Sequence, residues 1–342
     1  TWTIIITSLS TSTIITLSST HWLLAWLGLE LNTLSMLPIL IKPHHPRATE
    51  ATTKYFIIQA TSAALILFTS TLNAWETGQW HITTTSSMMT TTVLTAAITL
   101  KLGLAPMHFW YPEVLQGSTM NTAMIISTWQ KIAPLTLLYL TINHLPTSTL
   151  LLIGLTSALI GGWTGLNQTQ TRKILAFSSI AHMGWVVTAL SLTPSLATLT
   201  LLTYMMMTTT MFLSLNTTLS KTLTDMGTTW SHSPTLMAVT MFTLLSLGGL
   251  PPLTGFMPKW LILKELTTAG LITMSITLAL ATLPSLFFYT RMAYLTTLTT
   301  PPSTSNIEQK WRFKTNHMSS LSPTITLSTM LLPTTPLLYM TI

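Results

Sequence analysis

Five ionisable side chains stand in stretches of sequence that otherwise carry no charge. Glu30 sits in AWLGLELNTL, Lys101 in ITLKLGLAP, Lys131 in ISTWQKIAPL, His182 in AFSSIAHMGW and Lys259 in GGLPPLTGFMPKW. A charge at mid-bilayer costs at least about 2.5–3.5 kcal/mol on insertion scales, so such groups face a protein interior or a wet cavity. The chemistry open to them is proton transfer. A buried lysine loses proton affinity by desolvation and regains it from a nearby carboxylate, and Glu30 is the natural carboxylate partner. Imidazole exchanges protons near neutral pH without further tuning. The competing account of each lysine is a helix-end side chain snorkelling to the headgroups. Three such lysines with a glutamate, two of them beside helix breaks, favour the functional account. His182 is balanced between a packing residue and a relay group.

The elements that must position these groups are membrane helices. Only 6% of the 342 residues are charged, 48% are hydrophobic, and no cysteine is present. A soluble surface needs several times that charge density. The absence of cysteine excludes disulfides, thiol catalysis, iron–sulfur ligation and cysteine zinc sites. The net charge of +7 is spread along the chain with no basic stripe, so nucleic acid is not an expected partner. No cleavable targeting segment is read at the N-terminus.

On the scale of about 20 apolar residues per crossing, eleven spans are expected: 2–19, 21–41, 54–73, 84–104, 119–142, 148–165, 174–192, 195–217, 235–257, 267–290 and 320–341. Many are threonine-rich, which a hydroxyl bonded back to its own helix tolerates. Lys42, Arg47, Lys54, Arg172, Lys173, Lys221, Arg291, Lys310, Arg312 and Lys314 all fall in loops after even-numbered spans. The positive-inside rule places those loops, and the N-terminus, on one face and the C-terminus on the other.

GLAPMHFWYP at 103–112 and GLPPLTGFMP at 249–258 are alike, and each puts Gly and Pro inside an apolar run beside a lysine. Five spans separate them, so they run in opposite directions. Broken helices at matching positions of inverted halves point to an ion or substrate path. The expected fold is therefore all-α and polytopic, with two inverted five-helix repeats, each holding a broken helix, and a C-terminal helix. The halves are 1–145, with its break near 101–112, and 146–292, with its break near 249–260; 293–342 holds a polar loop and the last helix. His44 and His45 read as a solvated loop. His108 and Glu113, with Trp110 and Tyr111, read as an interfacial anchor, and Gly161 and Gly165 as close helix packing. No GxGxxG fingerprint, phosphate loop or paired-histidine haem site occurs.

AWLGLELNTL, RATEATTKYF, KLGLAPMHFWYPEVLQG, WQKIAPL, GGWTGLNQTQTRKILAFSSIAHMGW and LSLGGLPPLTGFMPKW together resemble the antiporter-like membrane subunits of mitochondrial NADH–ubiquinone oxidoreductase, respiratory complex I. The likeness runs in order from about residue 20 to about residue 295. It implies a core membrane-arm subunit of a proton-translocating enzyme in the inner mitochondrial membrane, N-terminus in the matrix and C-terminus in the intermembrane space. It implies a proton relay of Glu30, paired with Lys101, then Lys131 on the central axis, His182 between the halves and Lys259 at the second break. The implied partners are other membrane-arm subunits, neighbouring antiporter-like chains among them, and membrane lipid, with room for structural lipid. No cofactor or metal is implied for this chain; NADH, FMN, iron–sulfur clusters and ubiquinone belong to the rest of the complex. Two other readings stand beside it: a non-pumping structural or charge-transmitting subunit, and an independent cation/proton antiporter.

Overall fold

A computed structural model describes residues 2–84, 87–229, 233–297, 320–334 and 336. Lys310, Arg312, Lys314 and the C-terminal Ile342 lie outside the described residues. The described residues are helical, without strands, and form two compact units, Thr1–Ser157 and Ala158–Ile342. Six helices are long and apolar enough to cross a membrane, and three shorter helices are apolar.

The first unit holds α1 (Trp2–Ser18), α2 (Trp22–Ile41), α3 (Pro46–Thr77), α4 (Met88–Leu102), α5 (Trp110–Gly117), α6 (Met120–Ser127) and α7 (Ile132–Thr141), with the start of α8 (Thr147–Gly165). Threonine and serine hydroxyls bond carbonyls three or four residues back along these helices, as Thr13 does to Ser10 (2.7 Å) and Ser62 to Gln59 (2.7 Å). That closes their polarity inside the helix and lets a threonine-rich segment sit among apolar neighbours. Polar side chains such as Asn32, Gln59 and Ser62 are buried, whereas Phe68 and Ile57 are exposed, which is the arrangement a lipid surround allows.

Helix α3 begins earlier than the apolar run suggests, so Arg47 and Lys54 are helical rather than loop residues. Pro46 presets the first turn, the His45 Nδ1 accepts from the Arg47 N–H (3.2 Å) as an N-cap, and Gly78 at φ +72 ends the helix. The α1–α2 and α3–α4 connections are tied by a two-residue antiparallel bridge between His21 and His81, with the Trp22 N–H on Trp80 O and the Ile82 N–H on Thr20 O, both 3.1 Å. At the other end, Lys54 forms ion pairs with Glu50 (2.5 Å) and Glu113 (2.6 Å).

The second unit continues from α8 with α9 (Thr171–Leu192), α10 (Pro194–Thr218), α11 (Leu223–Thr228), α12 (Pro234–Gly248), α13 (Phe256–Thr268), α14 (Ile272–Thr297) and α15 (Leu321–Met330). Helix α9 is its buried core: 89% of its apolar window is enclosed, against 33% for α14. Gly161 lets α8 approach α9, since a Cβ there would stand 2.7 Å from the Ala181 nitrogen. The α8–α9 and α10–α11 connections are joined by a bridge between Gln170 and Thr222. Arg291, in α14, donates to the carbonyls of Leu166 (2.5 Å) and Gln168 (2.7 Å). Arg172, Lys173, Lys221 and Arg291 thus gather at one end of this unit.

Helix α11 opens on a capping box in which Asp225 accepts from the backbone N–H groups of Thr222 (2.9 Å) and Lys221 (3.1 Å). Those hydrogen bonds, the Thr222 backbone first, hold the Asp225 carboxyl below the usual carboxylate value. A depressed folded-state value gives stability that is present above the unfolded value of about 4 and is lost as pH falls through the folded one. Asp225→Ala is expected to cost roughly 1 kcal/mol of local stability, seen as faster amide exchange over residues 223–228 at neutral pH. In the native chain the same acceleration appears only on acidification below pH of about 4.

Candidate functional site

The two helix breaks are built alike from the backbone up. Helix α4 ends with Gly103 at φ +73; the Gly103 N–H bonds Leu100 O (3.2 Å) and the Leu104 N–H bonds Thr99 O (3.0 Å). Helix α12 ends with Gly249 at φ +83; the Gly249 N–H bonds Ser246 O (3.0 Å) and the Leu250 N–H bonds Leu245 O (3.4 Å). Both are Schellman motifs, whose left-handed residue strongly favours glycine. Non-helical chain follows at 103–109 and 250–255 before α5 and α13 begin.

In the first unit Lys101 occupies the last turn of α4 and is 6% exposed. The freed carbonyls at this helix end are taken by side chains from elsewhere: the Trp110 Nε1 donates to Leu100 O (3.2 Å) and the Gln59 Nε2 to Lys101 O (3.3 Å). The Lys101 Nζ itself has no hydrogen-bond partner within the protein, and neither has the buried Oε2 of Glu30. Glu30 and Lys101 are therefore not in ion-pair contact. Lys131 is 3% exposed, with its Nζ 5.0 Å from the centre of the Tyr111 ring. Lys101 and Lys131 line one cavity of about 10 Å³ of water-centre space, together with Tyr55, Gln59, Tyr111 and Gln130. That is room for about one water molecule.

Lys131 does not ride on a continuous helix. Residues Trp129–Lys131 form a 3₁₀ turn between α6 and α7. Pro134 lacks the N–H that would bond the Gln130 carbonyl, so the helix restarts with this proline in its first turn. The turn is held by Gln130, whose Nε2 donates to Asn32 Oδ1 (3.0 Å) and whose Oε1 accepts from the Tyr55 hydroxyl (3.4 Å).

In the second unit Lys259 comes after the break, in the first turn of α13. Its Nζ donates to the Gly248 carbonyl (3.0 Å), so the ammonium caps the negative end of α12. His182 on α9 shares a cavity of about 20 Å³ of water-centre space with Lys259, Tyr204, Thr200, Thr203 and Trp185, enough for one or two waters. The His182 ring also meets Tyr289 of α14, Oη to Nε2 3.4 Å. The structure thus brings Lys101 and Lys131 together in one unit and His182 and Lys259 together in the other.

His108 corrects an expectation. It is 2% exposed, with Trp110 6% and Tyr111 1%, so these three rings face the protein interior rather than a headgroup layer, while Glu113 is exposed. The segment folds back beneath the end of α4, where the Trp110 indole is needed on the Leu100 carbonyl.

Comparison with known proteins decides the family. The profile described as NADH:quinone oxidoreductase/Mrp antiporter, TM, matches residues 19–284, and that described as NADH dehydrogenase subunit 2 C-terminus matches 286–339. NADH-ubiquinone oxidoreductase chain 2 of Carassius auratus is 54% identical over 97% of this chain and 96% of its own length. The protein of the same name from Xenopus laevis is 51% identical over 98% of each chain. The chain belongs to the NADH–ubiquinone oxidoreductase chain 2 family. Solved structures share its fold: a chain of respiratory complex I from Thermus thermophilus with bound aureothin (TM-score 0.81, 24% identity, 96% of this chain and 78% of that one), and one of the Mrp complex from Dietzia sp. DQ12-45-1b (TM-score 0.84, 15% identity, 98% and 75%).

For this member of the chain 2 family, reading the sequence for charge missed Asn32, Gln59 and Gln130 and the tyrosines Tyr55, Tyr204 and Tyr289. The first three carried a signal, an amide inside an apolar run. The tyrosines carried none, because aromatic residues are common in any buried helix.

Proposed function

We propose that this chain is a membrane-arm subunit of the respiratory NADH–ubiquinone oxidoreductase of the inner mitochondrial membrane, and that it moves protons through a relay of Glu30, Lys101, Lys131, His182 and Lys259. Other subunits hold the redox centres, and the basic loop face lies toward the matrix. The family membership supports the assignment to the complex. The observation that carries the relay is the placing of basic groups, Lys101 and Lys131 buried and His182 and Lys259 half-buried, on water-sized cavities at two helix breaks. Dry lysines without that room would be structural charges with nowhere to send a proton.

The open Glu30–Lys101 pair gives the relay a driving element. When the carboxylate approaches, the ammonium is favoured and the proton stays; when it withdraws, the buried amine releases it. A released proton has Lys131 on the same cavity wall to receive it. In the second unit, Lys259 trades a water-borne proton with His182 across the larger cavity, and the Gly248 carbonyl holds the ammonium in its charged phase.

Glu30→Gln and Lys101→Met in the holoenzyme test this. Each is expected to lower NADH-driven proton uptake and ubiquinone reduction together, by about tenfold or more. The double variant should be no worse than the weaker single one, because the two residues act as one element. Native rates in either single variant, or losses that multiply in the double, would show that the pair does not drive transfer.

A further inference from the structure

We infer that Tyr289 is a positioning residue for His182, holding its Nε2 through both the neutral and the charged form so that the imidazole exchanges its proton on the cavity side. The inference rests on the proton-relay reading above and adds to it a residue from a helix that contributes nothing to the cavity wall.

Tyr289 is 1% exposed on α14, and its ring packs against Phe288 at 4.5 Å between centroids. Its hydroxyl meets the His182 Nε2 at 3.4 Å. A phenol is both donor and acceptor. Its O–H satisfies the tautomer whose Nε2 carries no hydrogen, and, turned away, it leaves the oxygen lone pairs to accept from an Nε2–H.

This matters for a relay group. A neutral imidazole carries one N–H, and its charged form carries two. Proton uptake at Nδ1 forms one N–H bond from a cavity water or the Lys259 ammonium, and breaks one in the donor. The resulting imidazolium needs an acceptor at Nε2, or a charged donor is left buried and unmade. Rotation of a single O–H bond in Tyr289 supplies that acceptor without moving a ring. The titratable groups facing His182 are Tyr204 from α10, with ring centroids 5.6 Å apart, Lys259 from α13 across the cavity, and Tyr289 from α14. Of these, Tyr289 stands at hydrogen-bond distance from Nε2.

The test uses the assembled holoenzyme in proteoliposomes with His182→Gln, Tyr289→Phe and the double variant, at matched abundance. Tyr289→Phe keeps the ring and its packing on Phe288 and removes one oxygen. Its turnover is expected to fall about tenfold, and the pH limb of turnover that depends on protonated His182 to move about one unit toward acid, as loss of one hydrogen bond to a charged group requires. In the His182→Gln background, Tyr289→Phe should change neither rate nor pH profile further. An impaired His182→Gln enzyme in which Tyr289→Phe alone is harmless, or costs the same with and without His182, overturns the role of Tyr289 and leaves the relay standing. A His182→Gln enzyme with native rate and pH profile removes His182 from the relay, and Tyr289 with it.

Discussion

Lys131→Met yields an enzyme that assembles to native abundance and turns over at about a tenth of the native rate or less, with proton uptake falling in step. Lys131 is 3% exposed on the wall of the Lys101 cavity, its ammonium near the Tyr111 face. Methionine keeps most of its volume and its apolar stem, so the fold loses little. Removing a buried charge also spares its desolvation cost, and stability should hold or improve. A structural lysine would therefore accept methionine with no change in rate. Lys131→Arg separates a relay from a fixed charge: a guanidinium keeps the charge and does not deprotonate in a protein. It should also lower turnover. Full activity of both variants, measured at matched abundance, would eliminate the relay role for Lys131.

Gly255→Ala is expected to abolish assembly or leave a complex with little activity. A Cβ on Gly255 would stand 1.8 Å from the Ser246 carbonyl oxygen and 2.9 Å from its carbon, with the Met207 sulfur at 3.2 Å. The obstacle is backbone in the last turn of α12, so no side chain can swing aside. Overpacking of this kind costs about 3 kcal/mol or more. The shift would also move α13 and carry Lys259 off the Gly248 carbonyl. Gly78→Ala is the control. Gly78 has φ +72 but nothing within 4 Å of the added carbon, so it should cost only about 1–2 kcal/mol of backbone strain and leave turnover native. Equal damage from the two substitutions, read by native gel and NADH–ubiquinone turnover, would mean that close approach at Gly255 is not what the second break depends on.

Much of the fold could be read from the chain because a bilayer demands long uncharged runs, and those runs are α1 to α4, α8 to α10, α12 and α14. The breaks were legible for a local reason: a glycine that can take the left-handed helix end, with proline one to three residues on, marks both Gly103 and Gly249. The turn at Trp129–Lys131 was not read, although Pro134 marks it. Pro38 and Pro284 sit inside α2 and α14 without dividing them, so proline by itself does not distinguish a kink from a restart. The charged members of the site were visible because charge is rare here. Their separation into Lys101 with Lys131 and His182 with Lys259 depends on contacts between distant helices, as does the Tyr289–His182 bond across 107 positions. No local pattern encodes such contacts.

The two small bridges have a mechanical consequence. His21 with His81 fastens the connections before α2 and before α4; Gln170 with Thr222 fastens those before α9 and before α11. In each unit the helix that will break sets out from near the fastened rim: α4 follows the His81 segment, and α12 follows α11. At 1.5 Å per residue, their 15 residues carry the chain about 22 Å away before it breaks. Each break, with Lys101 or Lys259 beside it, thus stands well away from the rim that backbone hydrogen bonds fasten and is held instead by side-chain bonds, such as Trp110 on Leu100 and Lys259 on Gly248. Charge changes beside a break act on those side-chain bonds and leave the backbone bridge untouched.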